Sequence, residues 1–384
     1  MILAKKFTAP KIPSQPDFMR ILKARVAEAQ AKVAKSKAPV AQTYLSITFF
    51  LTWFFLSYFG LYYSTNAFAS ILICISLGFA IAGLGFNVFH DSIHGSISKH
   101  AWANRVLAFL SCSILGPSRV IWKHKHNYLH HQFTNIQDWD DDLETRGALR
   151  LSPSQPWLEK YRFQNIYAPF IYALTTLEWV FFNDFVRYFK KKINPSQRLP
   201  RLTVGDHVEF WISKIICIVF TVVLPLHYFS VPAFILGFLI AHSVASIILA
   251  VVFQLAHVMN ESQFPISDPS SGKMNMDWVH LQLATTVNFA PTNRLLNWYC
   301  GGLNFQIEHH LLPRIHHSHY RNLAHIVETT AKEFGYPYHT QPTHWHAIRD
   351  HFGMLKKLSR PSLDEGTEQQ EVGDSEEQFA SEML

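Results

Sequence analysis

Charged residues are scarce in this sequence. They make up 16% of its 384 residues, whereas an average soluble domain carries roughly 25%. Phenylalanine is abundant instead, at 31 positions, and 48% of the chain is hydrophobic. This composition argues against an ordinary soluble domain and favours a protein that spans a membrane.

The sequence also lacks a cysteine pattern. Its four cysteines are Cys74, Cys112, Cys217 and Cys300. None belongs to a Cys-x-x-Cys pair, and three of the four lie in apolar stretches. A free thiol in such a place behaves as a small hydrophobic group. We therefore expect no disulfide framework and no cysteine zinc site. The opening residues, MILAKKFTAPKIP, lack the apolar run of a cleaved signal peptide.

The two ends of the chain differ in charge. Residues 1–40 hold nine Lys or Arg and two acidic residues, and residues 16–37 predict a surface helix with Phe18, Leu22 and Val26 on its apolar side. We expect this basic helix to lie on a membrane rather than on nucleic acid. Residues 359–384 hold eight acidic residues and predict a disordered tail.

Four apolar stretches are long enough to cross a bilayer, which takes about 20 residues. Residues 41–63, 67–89 and 231–256 contain no charged residue, and residues 210–229 contain one, Lys214. Short turns join them in pairs, so the pattern predicts two transmembrane hairpins within a domain of residues 41–358. Two weaker apolar stretches predict interfacial helices at residues 106–122 and 166–186.

Basic residues mark one side of these hairpins. The two turns contain no Lys or Arg, whereas the N-terminal segment and residues 99–201 are rich in them. The positive-inside rule therefore places both termini and residues 90–207 on the cytoplasmic side. His90 and His257 directly follow predicted spans, so we expect the histidine clusters together at this boundary.

Three histidine clusters occur there. They read HDSIH at residues 90–94, HKHNYLHH at residues 124–131 and QIEHH at residues 306–310, and His257 stands alone. Side chains three or four positions apart share one face of a helix, so pairs of imidazoles can reach one metal at the usual distance of about 2.1 Å. His126 and His130 share a face, and His131 points toward a second metal.

The number of imidazoles indicates two metals rather than one. Eight histidines exceed a tetrahedral zinc site and suit two five- or six-coordinate metals: His90, His94, His126, His130, His131, His257, His309 and His310. No Glu is followed by His three positions later, as a carboxylate di-iron site requires. His124 lies two turns from His131, and we expect it to be a bystander.

The motifs H-D-x-x-H, H-x-x-x-H-H and Q-x-x-H-H, in this order and with two hairpins, resemble the membrane fatty-acid desaturases. The segments FHDSIHGS, HNYLHHQFTN, FQLAHV and GGLNFQIEHHLLPRIHHSHY are similar too, and the resemblance covers roughly residues 45–335. The glutamine of the third motif resembles the front-end subgroup, which inserts a double bond between an existing one and the carboxyl end.

This resemblance implies an all-α membrane enzyme with a cytoplasmic histidine-rich helical cap. It implies two iron ions, O₂ as co-substrate, two external electrons and a cis double bond introduced into a long acyl chain. The implied ligands are the eight histidines, with Gln306 where other desaturases carry a further histidine. Neighbouring carboxylates could orient the imidazoles: Asp91, Asp138, Asp140, Asp141, Asp142 and Glu308.

Two rival functions remain open. An acyl hydroxylase or another membrane oxygenase could use the same di-iron site. A non-catalytic metal-binding or transport protein is disfavoured, because only Lys214 and His242 interrupt the spans.

The expected partners follow from the same resemblance. The His-Pro-Gly-Gly motif of a fused cytochrome b5 domain does not occur, so we expect a separate electron donor of the ferredoxin or cytochrome b5 type. This favours a bacterial inner membrane, with the endoplasmic reticulum as the alternative. Membrane lipid and the acyl substrate are the other expected partners, and no nucleic acid is expected.

Overall fold

The computed structural model describes residues 9–33, 38–268 and 270–361. The acidic tail beyond residue 361 and parts of the basic N-terminal segment lie outside the described residues. Four helices in the described part are long and apolar enough to cross a membrane: Ala41–Tyr63, Ala67–His94, Val204–Tyr228 and Val231–His257. The four predicted spans and the membrane-protein class are therefore confirmed.

Each span except the fourth combines α-helix with shorter segments. The α-helices are Ala38–Gly60, Ala67–Leu84, Val204–Ile218 and Val231–His257. The first continues as the 3₁₀ turn Leu61–Tyr63. The second continues as the π-helical Gly85–His90 and the α-helical Asp91–His94. The third continues as the π-helical Val219–Val223 and the α-helical Leu224–Tyr228.

Two of the helices extend beyond the predicted spans. The second span continues through His94 rather than ending at residue 89, so the first histidine cluster belongs to the helix itself. The third span begins at Val204 rather than at residue 210. Thr203 and Asp206 form a capping box there, in which each side chain accepts the other's backbone N–H.

The interfacial helix predicted at residues 106–122 is two helices in the structure. Ala101–Leu115 and Arg119–Lys123 are separated by a short break, and the chain bends there by 116°. Gly116 enables the turn because its φ of +93° lies in the left-handed region. The returning arm continues as the π-helical segment His124–His130 and the turn His131–Phe133, which carry the second histidine cluster.

A polar network fixes this turn against the middle of the third span. Lys214 Nζ donates to the carbonyl oxygens of Gly116 at 2.6 Å and Val180 at 2.8 Å, and it lies 2.8 Å from the Asp184 carboxylate. The same carboxylate accepts the Ser118 N–H at 2.6 Å. Irregular backbone at membrane depth must find its partners within the protein. This Lys214 network supplies them.

The second predicted interfacial stretch is also broken. Residues 166–186 fall in four consecutive helical segments rather than one: Gln164–Tyr172, Thr175–Glu178, the π-helical Trp179–Asn183 and Asp184–Lys190. Asp184, at the start of the last segment, belongs to the Lys214 network. The stretch is helical as predicted, but its function in the fold is to support the turn.

Helices also form a cap over the histidine end of the bundle. They are Pro16–Val33, Trp278–Ala284, Arg294–Tyr299, Gln306–Leu311, Tyr320–Glu333 and His344–Leu358. Short 3₁₀ turns occur at Asp141–Leu143, Glu159–Phe163 and His317–His319. The all-α prediction is confirmed: the described residues are mostly helical, and their strands are one parallel pair of three residues each, Val287–Phe289 and His339–Gln341.

The N-terminal helix packs on the other helices of the cap. Its Phe18, Leu22 and Val26 are buried in one cluster with Ile307 and Leu323. The helix is present as predicted, but the apolar side that we expected to face a membrane faces the protein.

Candidate metal centre

The predicted ligands converge into two groups at the end of the spans. In the first group, His90, His94, His126 and His309 have ring nitrogens within 4.8 Å of one another. In the second group, the same holds for His130, His257 and His310. All seven side chains are buried. Two spans, the returning arm of the broken helix and the cap each contribute, so the centre exists only in the folded chain.

His131 lies between the two groups. Its Nε2 is 3.3 Å from Nε2 of His126, and its ring centroid is 4.7 Å from that of His309 and 4.4 Å from that of His310. The two groups are therefore parts of one continuous histidine cluster.

The second cluster has a different geometry from the α-helical one that its spacing suggests. His126 and His130 lie in a π-helical segment, a form that recurs at functional sites. Their rings stack with centroids 5.2 Å apart. His126 groups with His90, His94 and His309, and His130 groups with His257 and His310, although the two also group with each other beside Asp142. One segment therefore contributes to both halves of the centre.

The inward-facing nitrogens of these histidines are free to bind a ligand. Five Nε2 atoms are buried with no hydrogen-bond partner among the described residues, those of His90, His94, His257, His309 and His310. A buried polar atom without a partner costs free energy comparable to a lost hydrogen bond. Converging unpartnered imidazole nitrogens are the donor set that transition metals take, so the residues present fit a metal centre.

The opposite nitrogens of four of these rings, and Nδ1 of His130, have partners in the protein. Nδ1 of His90 lies 3.3 Å from Asp91, and Nδ1 of His130 lies 3.0 Å from Asp140. Nδ1 of His257 lies 3.2 Å from the Thr285 carbonyl oxygen. In the third cluster, Nδ1 of His309 lies 3.3 Å from the Tyr320 hydroxyl and Nδ1 of His310 lies 2.8 Å from Gln282 Oε1. Donation from Nδ1–H leaves the Nε2 lone pair pointing inward. This arrangement fixes each ring for metal binding.

Burial also keeps the cap histidines neutral. The pKa of His309 and the pKa of His310 lie well below the usual value, first because burial disfavours the charged form and then because neighbouring imidazoles repel it. The neutral form is the one that binds metal. Burial raises the pKa of the adjacent Glu308 to about 7, although hydrogen bonds from Tyr338 and Asn288 oppose that shift.

Only some of the predicted carboxylates contact an imidazole. Asp91 and Asp140 do so, and Asp142 lies 3.3 Å from His130 Nδ1. Asp141 pairs with Lys125 and Arg187 instead. Glu308 accepts from Asn288 and Tyr338, so it ties the third cluster to the cap rather than orienting a ring.

Comparison with known proteins agrees with this site. A family model described as fatty acid desaturase matches residues 66–342. The sn-1 linoleoyl-lipid 6-desaturase of Synechocystis sp. is 35% identical over 76% of this chain and 81% of that protein. The enzyme of the same name from Arthrospira platensis is 34% identical over 75% and 78%. The acyl-lipid (8-3)-desaturase of Physcomitrium patens is 33% identical over 77% and 62%.

The chain belongs to the fatty acid desaturase family. It is a membrane oxidoreductase that desaturates fatty-acyl chains, and its named relatives are of the front-end type. The resemblance read from the three histidine motifs is thereby confirmed.

Gln306 and His124 occupy different surroundings in the desaturase. Gln306 begins the helix of the third cluster, three and four positions before His309 and His310. It is buried, and its amide Nε2 has no partner among the described residues. His124 is half-exposed, and its ring packs 5.8 Å from Tyr128. Neither metal-binding group includes His124.

Sequence reasoning missed several contributors to the centre. Gln282 and Tyr320 hold ring nitrogens but lie outside every motif. Trp122 stacks on His126 with centroids 4.2 Å apart. His351 lies outside the centre; it is fully buried and bridges the Tyr172 hydroxyl and the Val258 carbonyl oxygen. Only spatial proximity reveals these contacts.

The two glycines before the third cluster bring it against the first. Gly301 and Gly302 have φ of +57° and +68°. A Cβ on Gly301 would lie 2.9 Å from the Phe86 carbonyl oxygen, and a Cβ on Gly302 would lie 2.8 Å from the His317 Cβ. Glycine is therefore needed here both for the backbone conformation and for the close approach.

Proposed function

We propose that this desaturase uses O₂ and two iron ions to insert a cis double bond between an existing double bond and the carboxyl end of an acyl chain. The observation that carries the metal assignment is the set of five buried Nε2 atoms that have no partner among the described residues and that converge in two groups. The opposite nitrogens of four of these rings have hydrogen-bond partners, which supports a site built for ligation.

The two groups divide the proposed ligands between the irons. His90, His94, His126 and His309 would hold one iron. His130, His257 and His310 would hold the other, with His131 between them and Gln306 as the ninth ligand. All nine residues are buried, which supports a centre shielded from bulk water.

The bound irons would supply the redox chemistry that couples reduction of O₂ to two waters with removal of two hydrogens from adjacent methylenes. Two electrons and two protons must come from outside, and we propose a separate donor of the ferredoxin or cytochrome b5 type. The protein holds the imidazoles in register and lines the approach with Phe89 and Trp122, whose rings pack 4.9 Å apart. Such an apolar wall excludes water.

The relatives support the substrate class. Their names specify acyl-lipid substrates, and we propose that this chain likewise acts on an acyl group carried by a membrane lipid. Gln306 in the third motif is consistent with the front-end position. We further propose that the histidine end of the bundle and both termini are cytoplasmic, because the basic residues of the sequence gather there. A bacterial inner membrane is the proposed location.

Expression in a host that makes no polyunsaturated fatty acids tests the proposal. Cells are fed defined fatty acids, double bonds are located by mass spectrometry, and iron is measured in the purified protein. We expect a new double bond on the carboxyl side of the existing one and close to two irons per chain, and His126→Ala should yield neither. A hydroxylated product would support the oxygenase rival, and a single metal in iron-replete cells would contradict the two-iron proposal.

A further inference from the structure

Two histidines outside the candidate ligands lie beside the metal centre. His317 Nδ1 is 2.5 Å from Asp91 Oδ2, and His316 Nε2 is 3.4 Å from the same oxygen. The other oxygen of this carboxylate, Oδ1, lies 3.3 Å from Nδ1 of the candidate ligand His90. All four residues are at most 9% exposed. The Asp91 bridge, which consists of Asp91, His316 and His317, therefore connects a candidate ligand with the segment that follows the third cluster.

The Asp91 bridge lies close to the protein surface. His317 begins a 3₁₀ turn that ends at the half-exposed His319, and the rings of His316 and His317 pack with their centroids 4.2 Å apart. Between His317 and the candidate ligand His90 there is only the carboxylate of Asp91. The bridge is therefore a short polar path from the surface to the centre.

The surface around this turn carries charge of one sign. Residues 309–327 contain no Asp or Glu, but they contain two arginines that are exposed or half-exposed. Neither arginine forms an ion pair among the described residues, unlike Arg105 and Arg119 beside the third span. With two neighbouring histidines they form a surface that we call the basic face: Arg314, His319, Arg321 and His325.

A second partly exposed contact to a candidate ligand has different surroundings. The Asp142 side chain is 33% exposed and lies 3.3 Å from His130 Nδ1. It pairs with Lys125, but residues 138–144 contain five acidic residues and no basic one. An acidic partner would be repelled there and attracted to the basic face.

The basic face fits a small acidic electron carrier. Desaturation consumes two electrons that must come from outside, and electron tunnelling falls off steeply with distance, so a carrier must dock close to the metal centre. Complementary charges speed association, and electron-transfer encounters are weak and bury less than about 1,200 Å². A small basic surface beside a hydrogen-bonded path to a ligand meets the needs of such a brief encounter.

We propose that a small acidic one-electron carrier docks on the basic face and that its electrons reach the metal centre through His317, Asp91 and His90. The proposal rests on the function proposed above and assigns the place where its electrons enter. Each reduced carrier gives up one electron and leaves oxidised, so two carriers in succession supply the two electrons that one desaturation consumes. No covalent bond forms or breaks in the Asp91 bridge, which couples the docked carrier to the ligand.

The first test measures docking. The iron-loaded full chain in lipid nanodiscs is titrated with two acidic carriers in turn, a plant-type [2Fe–2S] ferredoxin and soluble cytochrome b5. Arg314→Glu combined with Arg321→Glu should weaken carrier binding at low salt by about tenfold or more, because each reversal replaces an attraction with a repulsion. Lys356→Glu combined with Lys357→Glu makes the same change of charge at exposed positions of the last helix and is the matched control. Binding of neither carrier, equal losses in both double variants, or no loss in the first would overturn the docking surface.

The second test follows the electrons. Reduced carrier at saturating concentration is mixed with the oxidised, iron-loaded chain, and oxidation of the carrier is followed by stopped-flow absorbance. His317→Leu removes the contact with Asp91 and should slow this oxidation severalfold. His317→Asn keeps a donor near the Nδ1 position and should recover part of the rate.

A small reductant provides the control for this second test. Dithionite needs no docking surface, so it should reduce the unaltered chain and both His317 variants at the same rate. Iron content is measured in the same preparations. An unchanged rate of carrier oxidation in His317→Leu would overturn the path through the Asp91 bridge. An equal loss of rate with dithionite, or loss of iron, would overturn it too, because His317 would then only support His90.

These readouts also separate this proposal from the function on which it rests. Carrier binding and carrier oxidation need no acyl substrate, so both can succeed while product analysis shows a hydroxylated chain; the proposed function would then fail and the electron entry site would stand. Unsaturated product from the unaltered chain, with full carrier binding and oxidation in the Arg314→Glu and Arg321→Glu variant, would keep the function and refute the entry site. Binding of anionic lipid vesicles that is lost in this variant, with carrier binding unchanged, would assign the basic face to the membrane surface and refute the proposal as well.

Discussion

The Lys214 network and the histidine centre are both polar and buried in an apolar bundle, but they differ in how their hydrogen bonds are used. Lys214 Nζ has three oxygen partners, on Gly116, Val180 and Asp184. In the histidine centre, five Nε2 atoms have no partner among the described residues. The Lys214 ammonium finds its partners within the protein, whereas these imidazole nitrogens do not.

This difference distinguishes buried polar groups that stabilise the fold from buried polar groups that can bind a ligand. An ionisable residue inside a span is usually functional, and Lys214 appears in the sequence as just such a residue. Its partners show that it stabilises the turn that returns the second histidine cluster to the centre. The histidines, whose inward nitrogens have no partner among the described residues, are the candidates to bind the metal. Substitutions in the two regions should therefore have different consequences.

The largest effect is expected at His131, because it contacts both groups. His131→Ala should reduce product below detection and lower the iron content of both sites, while the amount of membrane-inserted protein stays near that of the unaltered chain. The measurements are product per unit of inserted protein and iron per chain. Full iron occupancy in His131→Ala would show that this residue is not a ligand. Loss of the protein from the membrane would show that His131, like Lys214, stabilises the fold.

Lys214→Met should act on stability first. Removing one partner of a buried ion pair leaves an uncompensated charge and costs about 3–5 kcal/mol, so the unfolding temperature in detergent and the inserted amount should both fall. Protein that does insert should retain its irons.

A second substitution checks the cause. Lys214→Met with Asp184→Asn removes the unpaired charge but keeps an oxygen for the Ser118 N–H, so it should recover part of the lost stability. If Lys214→Met were fully stable but inactive, Lys214 would belong to the reaction and the contrast between the two regions would fail.

The sequence predicts the spans and the motifs because both depend on local patterns. Length and apolarity identify four membrane-crossing helices, and histidine spacing identifies seven of the candidate ligands. His257, which stands alone, and Gln306 come from the resemblance to the family instead. The π-helical segments and the break at Gly116 were missed. The break depends on contacts with Lys214 and Asp184, which lie far from it in the sequence. The ring-holding partners Gln282 and Tyr320 were missed for the same reason, since no spacing rule links them to His310 and His309.

A smaller effect on iron binding is expected at the outward-facing ring nitrogens, which, like Lys214 Nζ, have hydrogen-bond partners in the protein. Gln282 Oε1 lies 2.8 Å from His310 Nδ1 and also accepts the Thr134 hydroxyl. Gln282→Leu should weaken iron binding by about 10–100-fold, as loss of such an orienting partner typically does. Chelator competition measures this affinity. Gln282→Glu keeps the acceptor and should restore most of it; equal losses in both variants would mean that Gln282 serves packing alone.

The smallest effect is expected at His124, which belongs to neither region. It shares the crowded octet of residues 124–131 with three candidate ligands, yet it is half-exposed, packs beside Tyr128 and lies outside both metal-binding groups. His124→Ala should therefore retain both irons and most of the activity. His126→Ala, two positions along the same π-helical segment, removes a ring whose Nε2 lies 3.3 Å from that of His131 and should abolish product. Iron content and product measured side by side for these two variants test whether burial within the centre, rather than crowding in the sequence, makes a histidine a ligand; the reverse result would require a different assignment of the second cluster.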